Sequence, residues 1–534
     1  MNFRWYTRVL LALGSGLTLA VSFPNYNVPL VGWLAVGMLV LASYRARPAV
    51  APLYGFLHAM VFYPVSIPWV ATVMHQYGNV DPWLSYGILQ LFGVLGGIIW
   101  AVFSWGVAVA SRRSAALACA LAPPLWVTLE FARSHLPIIA FPWNLSGYVA
   151  SGSLALLQLT AITGIHGLSF VVAGYSSVVA YAIVTGTPRA WKTALIVTAA
   201  LIFVGVGGRY FVPSAPARFV AHLVQTNFPQ SETYPPDWMK LYARELDELA
   251  AISIEAAHRT PSVPSGGLSQ TPLPGLIIWP EVPAPFSFQD QDFAARAARI
   301  ARDSASDFLV GAVDWKQAAP GQWNASNSAI LLDPNGHRIF TYDKIRLVPF
   351  GEYVPLRRVL TFVGKLTADI GDFTPGTVHA VGSLDEPGVK DLLAAPKFGT
   401  FICYEAVFPE EARQYTQGGA QLLITISNDG WFGRSGAPEQ HVMMARVRAV
   451  ENRRWLLRAT NNGFTVSVDP YGRIVAQLAT DIRGELDAPY DFRSDLTPYV
   501  RLGDWLPWLC VVLSLGLISF AIAGGNDSNA KGAS

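Results

Sequence analysis

The chain has 534 residues, enough for two or three folding units, and at 52% hydrophobic, 14% charged and a mean hydropathy of +0.34 it is too apolar for an ordinary soluble protein. A net charge of +2, with no basic patch interleaved with aromatics, sets nucleic-acid binding aside. The apolar excess lies in 1–210 and 504–524, and the part between has a globular composition.

Taken in order, 1–210 divides into apolar stretches near 7–22, 28–44, 50–74, 83–111, 115–132, 155–185 and 192–210. Crossing a hydrocarbon core of about 30 Å takes roughly 20 helical residues, so these read as about seven spans. Recurrent Gly, Pro and Trp suit helices packed on small residues with aromatic belts. No small-residue cleavage site follows Ser22, which argues against a removed leader. If the chain alternates, Arg4 and Arg8, Arg45 and Arg47, Arg112 and Arg113, and Arg189 with Lys192 fall on one side, and the opposite short loops carry only Arg133. The expectation is a cytoplasmic N-terminus, an exit near Arg209, a return through an eighth span at 504–524, and a cytoplasmic tail at 525–534.

Residues 211–503 then form one extracytoplasmic domain. Short apolar runs at 219–224, 276–279, 308–313, 328–332, 400–403, 422–426 and 465–468 alternate with helical stretches at 238–257, 292–304, 409–417 and 439–452. That alternation predicts an α/β layered fold with mixed strand pairing. The stretch 260–274 reads as a loop, and 357–375 and 381–396 as further excursions.

Of the three cysteines, Cys119 and Cys510 fall in apolar segments, leaving Cys403 as the only thiol of the external domain. A lone thiol in an oxidising compartment calls for a reason. Cys403 follows the apolar run 399–402 and precedes a helical stretch at 405–414, the strand-to-helix turn at which a nucleophile is exposed. The alternative is a small buried hydrophobe. A structural zinc site is disfavoured because no Cys or His cluster surrounds it.

A thiol of ordinary pKa, about 8.5, needs a base at neutral pH. His441 is more than a helix length downstream, and Glu281, left at the end of an apolar run by Pro280, is the better candidate. Lys344, after Tyr342 and Asp343, supplies a cation for thiolate and oxyanion. Each of these is commonly a surface or paired charge when met alone, and it is their joint occurrence at strand ends, where α/β sheets bind ligands, that points to a site.

Glu281, Lys344 and Cys403, in the settings WPE, YDK and CYE, resemble the Glu-Lys-Cys triad of the nitrilase superfamily. Lys344 with 347–355 (LVPFGEYVP), Cys403-Tyr404-Glu405, 427–432 (SNDGWF) and 458–463 (RATNNG) resembles the apolipoprotein N-acyltransferase family over nearly the whole chain. The resemblance implies an αββα nitrilase-like sandwich, placed in the periplasm on a multi-pass base in a bacterial inner membrane. It further implies a ping-pong transfer without cofactor or metal. Cys403 would take an acyl chain from a phospholipid resembling phosphatidylethanolamine, and the α-amine of a diacylglyceryl-cysteine apolipoprotein would accept it. By position, Glu352 and Glu405 support the triad and Tyr404 offers its backbone N–H to the oxyanion. Tyr234, Trp279, Asn428, Trp431 and Trp143, the last in the Phe141-Pro142-Trp143 motif, are expected around the substrate pocket. Two departures from the family pattern are Arg346, where histidine is common, and Tyr234, where tryptophan is usual.

A soluble amidase has no use for eight spans, whereas two bilayer-confined substrates gain from a site at the membrane surface, where water is kept from the thioester. The apolar stretch 354–373 is either a lid toward lipid or a loop packed on its own core. The alternatives are a membrane-anchored amidase using the same triad, and a transporter or binding scaffold. The few ionisable residues in the spans, chiefly Glu130, argue against transport.

Overall fold

The computed structural model describes residues 3–136, 140–230, 234–235, 237–259, 275–282, 284–353, 373–384 and 395–530, with 524–530 by backbone alone. The loop expected at 260–274 and all of the 354–373 excursion except Phe373 lie outside the described residues.

Helices occupy every stretch expected to cross the bilayer. Among the described residues five are long and apolar enough to do so: Pro82–Arg113, Ala115–His135, Ile165–Thr185, Pro188–Phe211 and Trp505–Ala523. The pair Pro52–Ser66 and Trp69–Gln76, bent by 55°, makes a sixth if counted as one span. Pro68, which lacks an N–H, lies in the break. Trp5–Ala20 has 16 residues and Pro29–Ser43 is a broken pair, so eight helical segments stand where about eight spans are expected, but not all reach full length. The stretch 155–185 is also not one span. Gly164, at φ +65°, breaks it into short turns and the Ile165–Thr185 helix.

Leu195, Ile202, Phe203, Val512 and Leu515 are exposed on the Pro188–Phe211 and Trp505–Ala523 helices, an apolar surface that suits lipid rather than water. Arg8, Arg45 and Arg113 gather at one end of the bundle. Arg8 Nη1 donates to the Ala42 and Tyr44 carbonyls (2.7 Å each), the Arg45 N–H to Ser111 Oγ (2.8 Å), and Arg113 to the Phe520 carbonyl (2.6 Å).

The remaining domain contains strands β1 (Phe219–Gln225), β2 (Gly275–Ile278), β3 (Ser306–Ala319), β4 (Gln322–Leu332), β5 (Arg338–Asp343), β6 (Val381–Ser383), β7 (Lys397–Ile402), β8 (Leu422–Ser427), β9 (Leu456–Thr460), β10 (Val466–Val468), β11 (Ile474–Gln477) and β12 (Gly484–Tyr490). They form two sheets, ordered β12-β1-β2-β3-β4-β5 and β11-β10-β9-β8-β7-β6. β1, β2 and β3 pair in parallel, as do β7, β8 and β9, and the flanking pairs are antiparallel.

Side chains alternate across each strand. Leu276 and Ile278 pack with Phe401 and Ile424 between the sheets, while Ile277 packs with Leu246, Leu249 and Phe293 under the outer helices Ala243–His258 and Gln291–Ser304. Pro409–Gln417 and Ala437–Asn452 cover the other sheet, giving helix-sheet-sheet-helix layers. Burial on both faces is what makes the strands read as plain apolar runs. Ala437–Asn452 is covered on both sides too: Val442, Ala445 and Ala449 face the sheet, and Met444, Val447 and Val450 join the core of the membrane helices.

Several local expectations change. The 238–257 helix divides at Tyr242 into Trp238–Leu241 and Ala243–His258. The excursion at 381–396 begins as edge strand β6. β9 and β12 are not apparent in the pattern, because Arg458 interrupts the first and Glu485, Asp487 and Pro489 dilute the second, an edge strand where proline is tolerated.

Candidate active site

β2 and β5 run in the same direction, and their carboxyl ends meet those of parallel β7 and β8. Glu281 follows β2, Lys344 follows β5, Cys403 follows β7 and Asn428 follows β8. β3 passes close beneath Glu281: a Cβ at Gly311 would lie 2.4 Å from the Pro280 carbonyl and 2.7 Å from Glu281 Cα, so only glycine fits.

Lys344, 1% exposed, donates from Nζ to Glu281 Oε1 and Glu352 Oε1, both at 2.9 Å. Asn327 Nδ2 donates to the same two oxygens, both at 2.8 Å. The second oxygens are held by backbone: Asn428 N–H donates to Glu281 Oε2 (2.9 Å) and Val348 N–H to Glu352 Oε2 (2.8 Å). Two carboxylates, one ammonium and one amide thus form a closed buried cluster. Burial alone would raise the pKa of Glu281, but Lys344, Asn327 and the Asn428 N–H outweigh it and hold the carboxyl below its ordinary value. Burial would lower Lys344, and Glu281, Glu352 and Cys403 more than reverse this.

Cys403 is buried and sits at φ +52°, a left-handed conformation that costs about 1–3 kcal/mol away from glycine and clusters at functional sites. The helix expected from residue 405 is instead a 3-10 turn, Cys403–Val407, followed by Pro409–Gln417. Burial and the nearby Glu281 charge push the Cys403 thiol up, while Lys344 pulls it back only in part. The resting group is therefore a thiol beside an ionised carboxylate and a charged lysine.

Glu405 fastens the elbow to the neighbouring sheet. Its Oε2 accepts from Ile402 N–H (2.7 Å), and its Oε1 accepts from Tyr342 OH (2.7 Å), Ile345 N–H (2.7 Å) and Arg346 N–H (3.0 Å). Burial and the neighbouring Glu411 lift its pKa to about 7 against those donors. Tyr404 projects toward the membrane helices, its OH donating to the Ala140 carbonyl (3.3 Å). It lines a cavity of about 240 Å³ with Ser134, His135, Arg346, Tyr353 and Glu410. Arg346 is tied there by Glu411 (2.7 Å) and Glu410 (3.3 Å).

The aromatic residues expected in the pocket are placed differently. Trp279 is buried under the first sheet, its Nε1–H donating to Ser253 Oγ (2.9 Å), because strand alternation turns it to the helix-covered face. Tyr234 packs on Trp238 and Tyr242 with its OH on the Pro229 carbonyl (2.8 Å). Trp431 meets Tyr77 edge-on at 5.2 Å, and Trp143 is buried against Trp69 and Phe432, so both belong to the seam with the membrane helices. Asn428 does reach the site, through its backbone N–H on Glu281.

Asn327 lies in the site without having been expected there, and His441, ranked behind Glu281 as a base, lies there as well. His441 Nε2 is 2.9 Å from the Cys403 carbonyl oxygen. Neither residue stands in a local pattern that marks it, since β4 register delivers one and a helix face the other. Among the described residues one trio could hold a metal ion, His222, Glu485 and Asp487. It lies on β1 and β12, where Arg259 and His222 already pair with Glu485.

Residues 15–178 match the apolipoprotein N-acyltransferase N-terminal domain family and 275–492 the carbon-nitrogen hydrolase family. The apolipoprotein N-acyltransferase of Geobacter metallireducens is 35% identical over 516 residues, covering 94% of this chain and 93% of the relative. That of Methylococcus capsulatus is 30% identical over 533 residues, covering 98% of each. An amidase from Nesterenkonia sp. is similar in structure, with a TM-score of 0.35 and 20% identity over 54% of this chain and 94% of the amidase. The chain belongs to the apolipoprotein N-acyltransferase family, with a helical membrane region carrying a carbon-nitrogen hydrolase domain built in helix-sheet-sheet-helix layers.

Proposed function

We propose that the protein transfers an acyl chain from a membrane phospholipid of phosphatidylethanolamine type, through a Cys403 thioester, to the N-terminal α-amine of a diacylglyceryl-cysteine apolipoprotein. The observation that carries this reading is the buried Lys344–Glu281 pair at 2.9 Å at the strand ends where Cys403 also stands, following β7 beside β8, whose next residue Asn428 donates to Glu281. In the first half-reaction the thiol sulfur attacks the ester carbonyl as its proton passes to Glu281. The oxyanion is stabilised by Lys344 and the Tyr404 N–H. Collapse breaks the ester C–O bond, and the lysophospholipid oxygen leaves with the proton held on Glu281. In the second, the amine attacks the thioester, Glu281 takes its proton, and collapse to the amide returns that proton to sulfur. Glu352 and Asn327 hold Lys344 and Glu281 in place throughout.

The cavity lined by Ser134, His135 and Ala140 on one side and by Arg346, Tyr404 and Glu410 on the other, with Tyr404 next in sequence to Cys403, suits substrates delivered from the bilayer. Arg8, Arg45 and Arg113, gathered at the far end of the bundle, support a periplasmic catalytic domain with both termini cytoplasmic. A membrane-anchored amidase is the weaker reading, since the family match runs over nearly the whole chain.

The test replaces C403A, E281Q and K344M in cells depleted of the native enzyme and measures lipoprotein N-terminal masses. Loss of the N-acyl increment in all three supports the assignment. Full N-acylation in any of them overturns the role given to that residue.

A further inference from the structure

We propose that His441 is a positioning residue of the oxyanion site: its Nε2–H, donating to the Cys403 carbonyl oxygen at 2.9 Å, fixes the peptide plane whose other end is the Tyr404 N–H. The inference rests on the reading of Cys403 as nucleophile and Tyr404 N–H as oxyanion donor.

The tautomer follows from the partners. A carbonyl oxygen only accepts, so Nε2 carries the proton. Nδ1 lies 3.1 Å from Arg458 Nη2, which only donates, so Nδ1 offers its lone pair. One Nη2 hydrogen of Arg458, with Nη2 at 2.9 Å from each Asp429 oxygen, and the Ser427 hydroxyl at 2.8 Å serve the carboxylate that lies 3.2 Å from Nδ1, which leaves the second Nη2 hydrogen for Nδ1. Burial and Arg458 keep the imidazole below its ordinary pKa, in agreement with a neutral ring. With both nitrogens engaged, the ring does not exchange a proton with the thiol. What it does is hold a carbonyl.

That carbonyl belongs to a strained residue. In a trans peptide the C=O and the following N–H point in opposite directions, so pinning the Cys403 oxygen turns the Tyr404 N–H away from His441. Tyr404 stands at the start of a 3-10 turn, where the first N–H groups have no intrahelical acceptor. A hydrogen bond on the oxygen also polarises the peptide and strengthens its N–H as a donor.

The membrane region fixes the ring in turn. Trp143 packs on the imidazole at 5.7 Å and Phe432 meets it edge-on at 5.9 Å. Trp143 Nε1–H donates to Oε1 of the adjacent Gln440 (2.6 Å), and Gln440 Nε2 donates to the Ser66 carbonyl (2.9 Å). This gives the Phe141-Pro142-Trp143 motif a task that a pocket role does not explain.

The test uses the full-length protein in detergent micelles with phosphatidylethanolamine. Two rates are measured on H441A, H441N and H441Q: appearance of the acyl mass on Cys403, and alkylation of Cys403 by iodoacetamide, which needs no oxyanion donor. Glutamine places an N–H near the Nε2 position and asparagine does not. Acylation is expected to fall about 100-fold in H441A and H441N, the scale of losing one oxyanion donor. Alkylation should stay within threefold, and H441Q should recover at least tenfold of the loss. Acylation in H441A or H441N within threefold of wild type overturns the inference, as does alkylation falling in parallel or H441Q no better than H441N. If the wild type forms no Cys403 adduct, or C403A still N-acylates, the nucleophile reading itself fails and takes this inference with it.

Discussion

Lys344 is the charge on which the buried cluster depends, and K344M removes it while keeping most of its volume. The variant leaves Glu281 buried and Glu352 partly buried, both still touching Asn327 Nδ2 at 2.8 Å. Removing one partner of a buried ion pair costs about 3–5 kcal/mol. Here the retained donors, Asn428 N–H and Val348 N–H, and uptake of one proton by the carboxylate pair place the loss near 3 kcal/mol at neutral pH. The sign of the pH dependence follows from Glu281. In the wild type its folded pKa is depressed, so its contribution is present above the unfolded value of about 4.3 and is lost as pH falls through the folded pKa. In K344M the pair loses the cation that depresses it. The gap to wild type should be widest at pH 7–8 and close as pH falls below about 4. Unfolding followed by fluorescence of the 17 tryptophans in detergent, at pH 4 and pH 8, checks this. Acyl-enzyme formation should drop by about 100-fold or more in the same variant. A K344M protein that unfolds with the wild type at pH 8 and acylates at the normal rate would refute the reasoning.

Two further substitutions test the scaffold. E405Q presents an amide NH₂ to the Ile402 N–H, or loses acceptance at the crowded oxygen if flipped. It should therefore cost about 1–3 kcal/mol in thermal unfolding. Because the Glu405 pKa is raised to about 7, its contribution to stability is full below 4.5 and lost as pH rises through 7. E405Q should remove that part of the pH slope, and an unchanged slope would contradict the burial argument. G164A puts a Cβ 2.7 Å from the Tyr499 ring at φ +65° and should destabilise by at least about 1–2 kcal/mol in the same assay. A neutral G164A would show that the 154–165 break is not fixed by this glycine.

That Glu281 and Cys403 stand at one sheet edge was legible because each follows a local apolar run that the fold turns into a strand, and Lys344 joins them at the end of β5. The layered α/β fold was legible for the same reason. What completes the site was not. Asn327 reaches it through the pairing of β4, and His441 through the face that a doubly buried helix turns to the sheet, and no local pattern carries either. Trp279 and Trp431 show the converse. A tryptophan next to a catalytic motif looks like pocket lining, but strand alternation sends one to the helix layer, and packing against Tyr77 holds the other at the seam between domains. Helix length was blurred at Pro68 and Gly164, where hydropathy continues through a backbone break.

The most direct test of the central claim is the mass of Cys403 after incubation of the purified full-length protein with phosphatidylethanolamine of defined chains. The account predicts a fatty acyl adduct on Cys403 alone, released by hydroxylamine and moved to the α-amine of a diacylglyceryl-cysteinyl peptide when that acceptor is added. N-acylated peptide formed without a Cys403 adduct, or formed by C403A, would contradict it.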